Sequence, residues 1–102
     1  MAALNTWSEV PGGGITDVAV AATETPVGIF LVGRGSDDQG IYLNRYDAQS
    51  DTWSGWSEVP GGGRTDAPIA AGGAGYNRDG AFVLNLFVKG LDDRIYWNAV
   101  QL

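Results

Sequence analysis

Apolar residues in this chain fall in short segments with the spacing of strands. The segments IYLNRYD (41–47) and RIYWNAV (94–100) alternate apolar and polar side chains in period two, which is typical of strands with one buried face. GIFLVGR (28–34) and FVLNLFVKG (82–90) are apolar runs next to glycines. No stretch of about ten residues lacks Gly, Pro or a cluster of β-branched residues, which disfavours helices. The pattern therefore predicts an all-β protein.

Further segments complete two sets of strands. DVAVAA (17–22) and DAPIAA (66–71) are short, small and apolar, which suits an inner strand, and Pro68 is expected at the strand start because it lacks a backbone donor. TWSGWSEV (52–59) supplies a fourth strand type. GSDDQ and GLDDR read as hairpin connections, in which Gly adopts positive φ and Asp accepts bonds from turn amides.

The chain repeats itself. WSEVPGGGITDVAVAA (7–22) and WSEVPGGGRTDAPIAA (56–71) are identical at twelve of sixteen positions, at an offset of 49 residues. RGSDDQGIYLN (34–44) aligns with KGLDDRIYWN (89–98) if the first copy has one extra residue near Gly40. In this alignment Gln39 corresponds to Arg94. A period near 50 residues is typical of β-propeller blades. The three glycines give the chain a path between one sheet and the next that residues with a Cβ could follow only at a cost.

The order of strands predicts a shared blade. Residues 4–10 (LNTWSEV) read as a last strand, residues 15–59 as a complete four-stranded blade, and residues 64–102 as three strands of a second blade. Residues 1–102 would thus form one two-blade segment. Its N-terminal strand would complete the second blade of a neighbouring chain. Because rings need about four to eight blades, we expect a homo-oligomer closed by strand exchange, either a trimer of six blades or a tetramer of eight.

Composition excludes several classes of function. The chain has no Cys and no His, which removes thiolate and His-ligated metal sites and His-dependent catalysis, and we expect no enzyme. A net charge of −6 argues against nucleic acid as a partner. Residues 1–6 lack the features of a signal peptide and no apolar run is long enough to span a membrane. The default expectation is a cytoplasmic protein, and the alternative is a secreted one whose targeting signal the sequence does not reveal.

The residues also resemble a known family. The combination of WSEVPGGGxTD, FVKGLDDRIYWN and WSGW is similar to the bacterial β-propeller lectins of the Photorhabdus lectin type, over nearly the whole chain. The resemblance implies a propeller that binds fucose and related sugars between blades. We expect no cofactor. It also implies seven blades, whereas this chain holds two.

Candidate sugar contacts follow from that resemblance and from side-chain chemistry. Trp faces stack on sugar rings, Arg donates to hydroxyls and Asp accepts from them. The alternative roles are packing between blades for Trp, solvated loop positions for Arg, and turn capping for Thr and Asp. The candidate residues are Trp7, Thr16, Asp17, Trp56, Arg64, Thr65, Asp66, Arg94, Tyr96 and Trp97.

The two expected sites between blades need not be equivalent, because the two copies differ at aligned positions: Arg64 aligns with Ile15, and Trp97 aligns with Leu43. The pairs Asp37-Asp38 and Asp92-Asp93 are assigned to turns, since a glycosidase needs two carboxyls facing each other across a sugar. The loop Asp47 to Asp51 lacks the ligand order of a calcium loop.

Three functions remain open. The first is a multivalent lectin for fucosylated glycans. The second is an engineered or structural self-assembling propeller without strong ligand binding. The third is a kelch-like protein-interaction module, suggested by the glycine pair 72–73 and by YDAQSDTW (46–53).

Overall fold

The computed structural model describes residues 7–102, and this part of the chain is all-β, with no helix. The first sheet contains β1 (Ala21–Thr25), β2 (Gly28–Arg34) and β3 (Ile41–Asp47), followed by the short strands β4 (Thr52–Trp53) and β5 (Ser57–Glu58), which both pair with β3. All neighbours are antiparallel. The prediction of an all-β fold is therefore confirmed.

The second sheet contains β6 (Ala70–Tyr76), β7 (Phe82–Lys89) and β8 (Ile95–Gln101), in that order. It repeats the register of the first sheet up to Ala71, after which the pairing of β6 with β7 shifts between Ala71 and Ala74. Ala21 pairs with Val32, which pairs with Leu43, and the corresponding row of the second sheet is Ala70, Phe87 and Trp97. The two copies in the sequence are thus two copies in structure.

One hydrophobic core lies between the two sheets. Phe30, Val32 and Ile41 from the first sheet meet Leu84 and Leu86 from the second. Val59 and Ile69, which lie on the connection between the sheets, are buried with them. Alternation along β2 and β7 sends every second side chain into this core, as the period of a strand requires.

Two strand predictions were wrong in their boundaries. The inner strands were expected at 17–22 and 66–71 but begin at Ala21 and Ala70, because the preceding residues form a turn closed by Thr16 or Thr65. Pro68 accordingly precedes β6. The expected strand 52–59 is interrupted at Ser54 to Trp56, where Gly55 has φ of 93°.

The expected N-terminal strand 4–10 lies partly outside the described residues, which start at Trp7. Residues 7–10 belong to no strand in the described chain, and the Trp7 side chain is fully exposed.

Candidate functional site: two clefts at the glycine loops

Each sheet carries one cleft beside a glycine loop. The first cleft has a volume of about 590 Å³ and lies between the loop Gly12–Gly14, the β2–β3 hairpin and Trp56. The second cleft has a volume of about 550 Å³ and lies between the loop Gly61–Gly63 and the β7–β8 hairpin. The repeat has therefore built the same depression twice, once per sheet.

A tyrosine–aspartate pair stands at the same place in both clefts. Tyr42 donates its hydroxyl to Asp38, whose other oxygen accepts from the Gly40 amide at 2.8 Å. Tyr96 donates to Asp92 at 2.7 Å, and the other oxygen of Asp92 accepts from the Arg94 amide at 3.1 Å. The tyrosine hydrogen bond is the main cause that lowers the pKa of each carboxyl, and the same bond raises the pKa of each tyrosine.

These pairs correct the alignment of the hairpins. The Gly35 amide bonds to the Gly40 carbonyl, as the Gly90 amide bonds to that of Arg94, so Arg94 corresponds to Gly40 rather than to Gln39. Gln39 and Asp93 share the preceding position, and these two residues, rather than the hairpin glycines, have positive φ, 60° and 68°. The extra residue of the first copy therefore lies at Ser36–Asp37 and not near Gly40. The assignment of the aspartates to turns agrees with these bonds.

Trp56 forms one wall of the first cleft. The pyrrole side of its ring lies so close to the backbone of Gly12 and Gly14 that a Cβ at either position would come within 3 Å of it. The loop can approach the ring only because these residues are glycines. The buried Trp56 Nε1 has no hydrogen-bond partner among the described residues. The second glycine loop carries no tryptophan in the equivalent place within the described chain.

Asn44 and Asn98 attach each glycine loop to its sheet. The Asn44 side-chain amide lies 3.4 Å from the Pro11 carbonyl, and that of Asn98 lies 2.9 Å from the Pro60 carbonyl. The buried Asn44 also accepts from the Gly55 amide at 3.0 Å, where the fourth strand is interrupted. Each segment that leads into a glycine loop is therefore held by the sheet that follows the loop.

The Thr-Asp pairs after the glycines recur as turn and ion-pair residues. The hydroxyls of Thr16 and Thr65 accept from amides two residues on, at 3.3 and 3.1 Å. Asp17 pairs with the buried Arg34, and Asp66 pairs with Lys89 at 2.8 Å. Lys89 lowers the pKa of Asp66. These contacts are the capping and charge-pairing roles that Thr and Asp take in turns.

The structure brings half of the candidate residues to a cleft. Thr16 and Trp56 line the first cleft, and Arg64, Tyr96 and Trp97 line the second. The other five candidates do not line either cleft: Trp7, Asp17, Thr65, Asp66 and Arg94. Thr65 is completely buried, and the exposed Arg94 lies 4.0 Å from Asp92.

Two residues of the second cleft have further contacts. Arg64 pairs with Glu58 at 2.8 Å and so is held at the rim. Trp97 lies between Tyr96 and Asn98 on β8, but its Nε1 donates to Asn85 at 2.9 Å, which places the ring on the opposite face of the sheet. Trp97 therefore borders the cleft only as part of strand β8, and its ring lies outside the cleft.

Sequence reasoning assigned Asp38 and Asp92 to turns but missed their pairing with Tyr42 and Tyr96, and it missed the two asparagines. The shared signal was available: an Asp four residues before a Tyr, followed by an Asn two residues later, occurs in both copies (38–44 and 92–98). The misplaced gap near Gly40 hid this spacing.

The described residues contain no group of acidic side chains that could hold a metal ion, and no helix long and apolar enough to cross a membrane. Within the loop Asp47 to Asp51, Asp47 accepts from the Gln49 amide and Asp51 from Tyr46.

Comparisons with known proteins identified no relative. No family model matches the chain, and neither a curated protein nor a solved structure is significantly similar to it.

Proposed function

We propose that this chain is a carbohydrate-binding protein whose sites are the two clefts, and that its ligand is fucose or a related sugar. The observation that carries this proposal is the recurrence of one cleft, with its glycine loop and its tyrosine–aspartate pair, at the same place in both repeats. A protein with two such sites gains avidity on a surface that displays many copies of its ligand.

The chemistry of the clefts suits a sugar. Asp38 and Asp92 are exposed carboxylates with spare acceptor positions, and sugar hydroxyls donate to such groups. Trp56 offers an apolar surface for sugar C–H groups, and Arg64 offers several donors at the rim of the second cleft. Clefts of this volume lie in the usual range for small-molecule sites.

The proposal includes the architecture. Each sheet is a propeller blade with its inner strand, β1 or β6, near the ring axis, where these two strands contact each other. The clefts then lie between adjacent blades, because the loop Gly61–Gly63 joins the last strand of one sheet to the first of the next. Propellers with four-stranded blades have this order of strands.

A tryptophan pair tests the site. We expect Trp56→Ala to weaken binding to a fucosylated surface strongly, because it removes the apolar wall of the first cleft and leaves only the second cleft intact. Trp53→Ala is the matched control: Trp53 packs on Tyr46, with ring centroids 5.0 Å apart, and lines neither cleft. Binding is measured on a glycan array under multivalent display, and folding by circular dichroism. Unchanged binding by folded Trp56→Ala would contradict the site assignment.

An exchange at one repeat position tests the role of Arg64. Ile15 stands at the equivalent place in the first cleft. We expect Arg64→Ile to weaken sugar binding by about tenfold to a hundredfold and Ile15→Arg to strengthen it, because a charged donor to a hydroxyl is worth about 1.5–3 kcal/mol. Calorimetric titration with free sugar measures both. Equal sugar affinities of the two variants would show that arginine at this position does not contribute to sugar binding.

A second function is favoured by one observation, namely the apolar side chains exposed on both outer faces of the sheet pair. It is a self-assembling scaffold without strong ligand binding. A flat glycan array from a fully assembled protein would favour this function over the lectin.

A further inference from the structure

We infer that the outer face of the second sheet binds the first sheet of a second copy of this chain, with residues 7–10 of that copy pairing along β8. The inference concerns a protein partner and is independent of the proposed sugar, since it can be tested without ligand.

The outer face of the second sheet exposes apolar residues at positions that are buried in the core of the first sheet. The equal register makes Phe87, Ile95 and Trp97 the counterparts of Val32, Ile41 and Leu43. Val32 and Ile41 are 0% and 6% exposed, whereas Phe87 and Ile95 are 43% and 82% exposed. Trp97 is also exposed, while Leu43 packs against the core. The same positions are therefore buried in one sheet and bare in the other.

The first sheet presents the complementary surface on its own outer side. Val20 corresponds to Ile69 and Leu31 to Leu86. Ile69 and Leu86 are 5% and 2% exposed because they face the first sheet, whereas Val20 is 51% exposed. A second copy that places its first sheet on Phe87, Ile95 and Trp97 would repeat the contact that already joins the two sheets within the chain.

The edge of β8 that pairs with no strand of the described chain indicates which segment of the second copy pairs there. In the first sheet, Ser57 and Glu58 pair with Leu43 and Tyr42, and the Val59 amide donates to the Ile41 carbonyl at 2.8 Å. Residues 56–59 and 7–10 have the same sequence, Trp-Ser-Glu-Val. Segment 7–10 carries the side chains that such an edge accepts, and it belongs to no strand of the described chain. An unpaired edge next to a bare apolar face is a template for association.

The partner must be another copy rather than the same one. Residues 56–59 pair with one sheet, and Pro60 just beyond them is bonded by Asn98 of the following sheet. In the same way, Pro11 is bonded by Asn44 of this chain's first sheet, so segment 7–10 belongs to the sheet that precedes it. The chain's own β8 lies in the sheet that follows the first. A ring of two blades cannot close.

Docking would complete the second cleft. Trp56 covers the loop Gly12–Gly14 in the first cleft, whereas a Cβ on the equivalent loop Gly61–Gly63 would approach only Asn98 and Ile41 and no tryptophan ring. Trp7 of the second copy corresponds to Trp56, and it would take that place next to Tyr96. The second copy thus supplies a wall of a cleft that one chain leaves unfinished.

Cysteine pairs test the contact, and the chain has no cysteine of its own. Ser8 and Trp97 correspond to the Cα partners Ser57 and Leu43, whose spacing permits a disulfide. We expect Ser8→Cys with Trp97→Cys to yield covalent multi-chain species on oxidation. Glu9→Cys with Tyr96→Cys, which corresponds to Glu58 and Tyr42, is the second pair if the first variant fails to fold. Ser8→Cys with Arg78→Cys, in the distant β6–β7 turn, is the control and should not cross-link.

A tryptophan substitution gives the second readout. Trp7 is fully exposed in the single chain, so Trp7→Ala should leave an isolated chain unchanged. If Trp7 fills the second cleft of another copy, Trp7→Ala should raise the concentration at which half of the assembly dissociates by about tenfold or more. Val27→Ala, an exposed apolar residue outside both clefts, should leave it unchanged. Sedimentation over a range of concentrations measures this.

Three results would overturn the inference: a native mass of one chain, cross-links confined within single chains, or the absence of cross-links from both folded cysteine pairs.

Discussion

At the scale of single residues, the hydrogen bond between Asp38 and Tyr42 organises the rim of the first cleft. The carboxylate is shared between the tyrosine hydroxyl and the Gly40 amide, and Asp92 repeats the arrangement with Tyr96 and the Arg94 amide. Each bond stabilises the ionised aspartate and the protonated tyrosine at the same time. The hairpin is therefore best held between the acid range of carboxylates and the alkaline range of phenols.

The pH dependence follows from the sign of both shifts. Because the folded pKa of Asp38 is lowered, its contribution to stability is present above about pH 4 and is lost as the pH falls through the folded pKa. The folded pKa of Tyr42 is raised, so its contribution is present below about pH 10 and is lost as the pH rises through that pKa.

We expect Tyr42→Phe to return the pKa of Asp38 towards its ordinary value, because the largest cause of the shift is removed. NMR titration of the side-chain carboxyl measures this. Tyr46→Phe is the control, since Tyr46 donates to Asp51 and leaves Asp38 untouched. An unchanged titration of Asp38 in Tyr42→Phe would show that the backbone amide alone holds the carboxylate.

At the scale of elements, the core between the sheets is built from one face of β2 and one face of β7. Leu84 is completely buried and packs in the same cluster as Val32 and Phe30. The β7 strand thus joins the two sheets through alternate side chains, while its other face stays open at Phe87.

We expect Leu84→Ala to lower the free energy of unfolding by about 3 kcal/mol, because it removes a buried side chain and leaves a cavity. Leu91→Ala, at a residue that is 55% exposed, should change it by less than about 0.5 kcal/mol. Urea denaturation followed by tryptophan fluorescence measures both. A small effect at Leu84 would place the cooperative core elsewhere.

The longer strands could be predicted from sequence because their alternation and their glycine boundaries are local signals. β2 and β3 begin and end as expected, and β7 and β8 differ from the expected segments by one residue at most at each end. The late start of β1 was not predictable from apolar pattern alone, since it depends on the bond from the Val18 amide to Thr16 and on the Asp17–Arg34 pair. The interruption of the fourth strand at Gly55 depends on the buried Asn44, which is distant in sequence.

The candidate site was only partly predictable. Trp56 and Tyr96 were found because large aromatics recur at the repeat spacing. The burial of Thr65 and the ring direction of Trp97 depend on which face of the sheet is covered, and one local pattern does not contain that information.

At the scale of the whole molecule, two sheets with one buried face each leave two unlike surfaces outside. The outer face of the first sheet carries Val20 and Leu31, and the outer face of the second carries Phe87, Ile95 and Trp97. Unlike surfaces form head-to-tail contacts, which close into a ring only if the rotation per chain divides a full circle.

If each sheet is one propeller blade, as proposed, whole chains can build only rings with an even number of blades. We expect a native mass of three or four chains, which corresponds to six or eight blades. Mass photometry together with class averages of the particle viewed along its axis measures both numbers. A particle with seven blades would exclude whole two-blade chains as the building unit.

The difference between the outer faces of the first and second sheets also determines how a variant chain can inhibit assembly. A chain with Ile95→Asp and Trp97→Asp would lose one face and keep the other, so it could cap a growing row of chains but never pass the contact on. Such a chain stopper should act at substoichiometric amounts, because a single copy per row is enough to prevent closure. If the two faces were alike, the same variant would simply be left out, and the remaining chains would assemble as before.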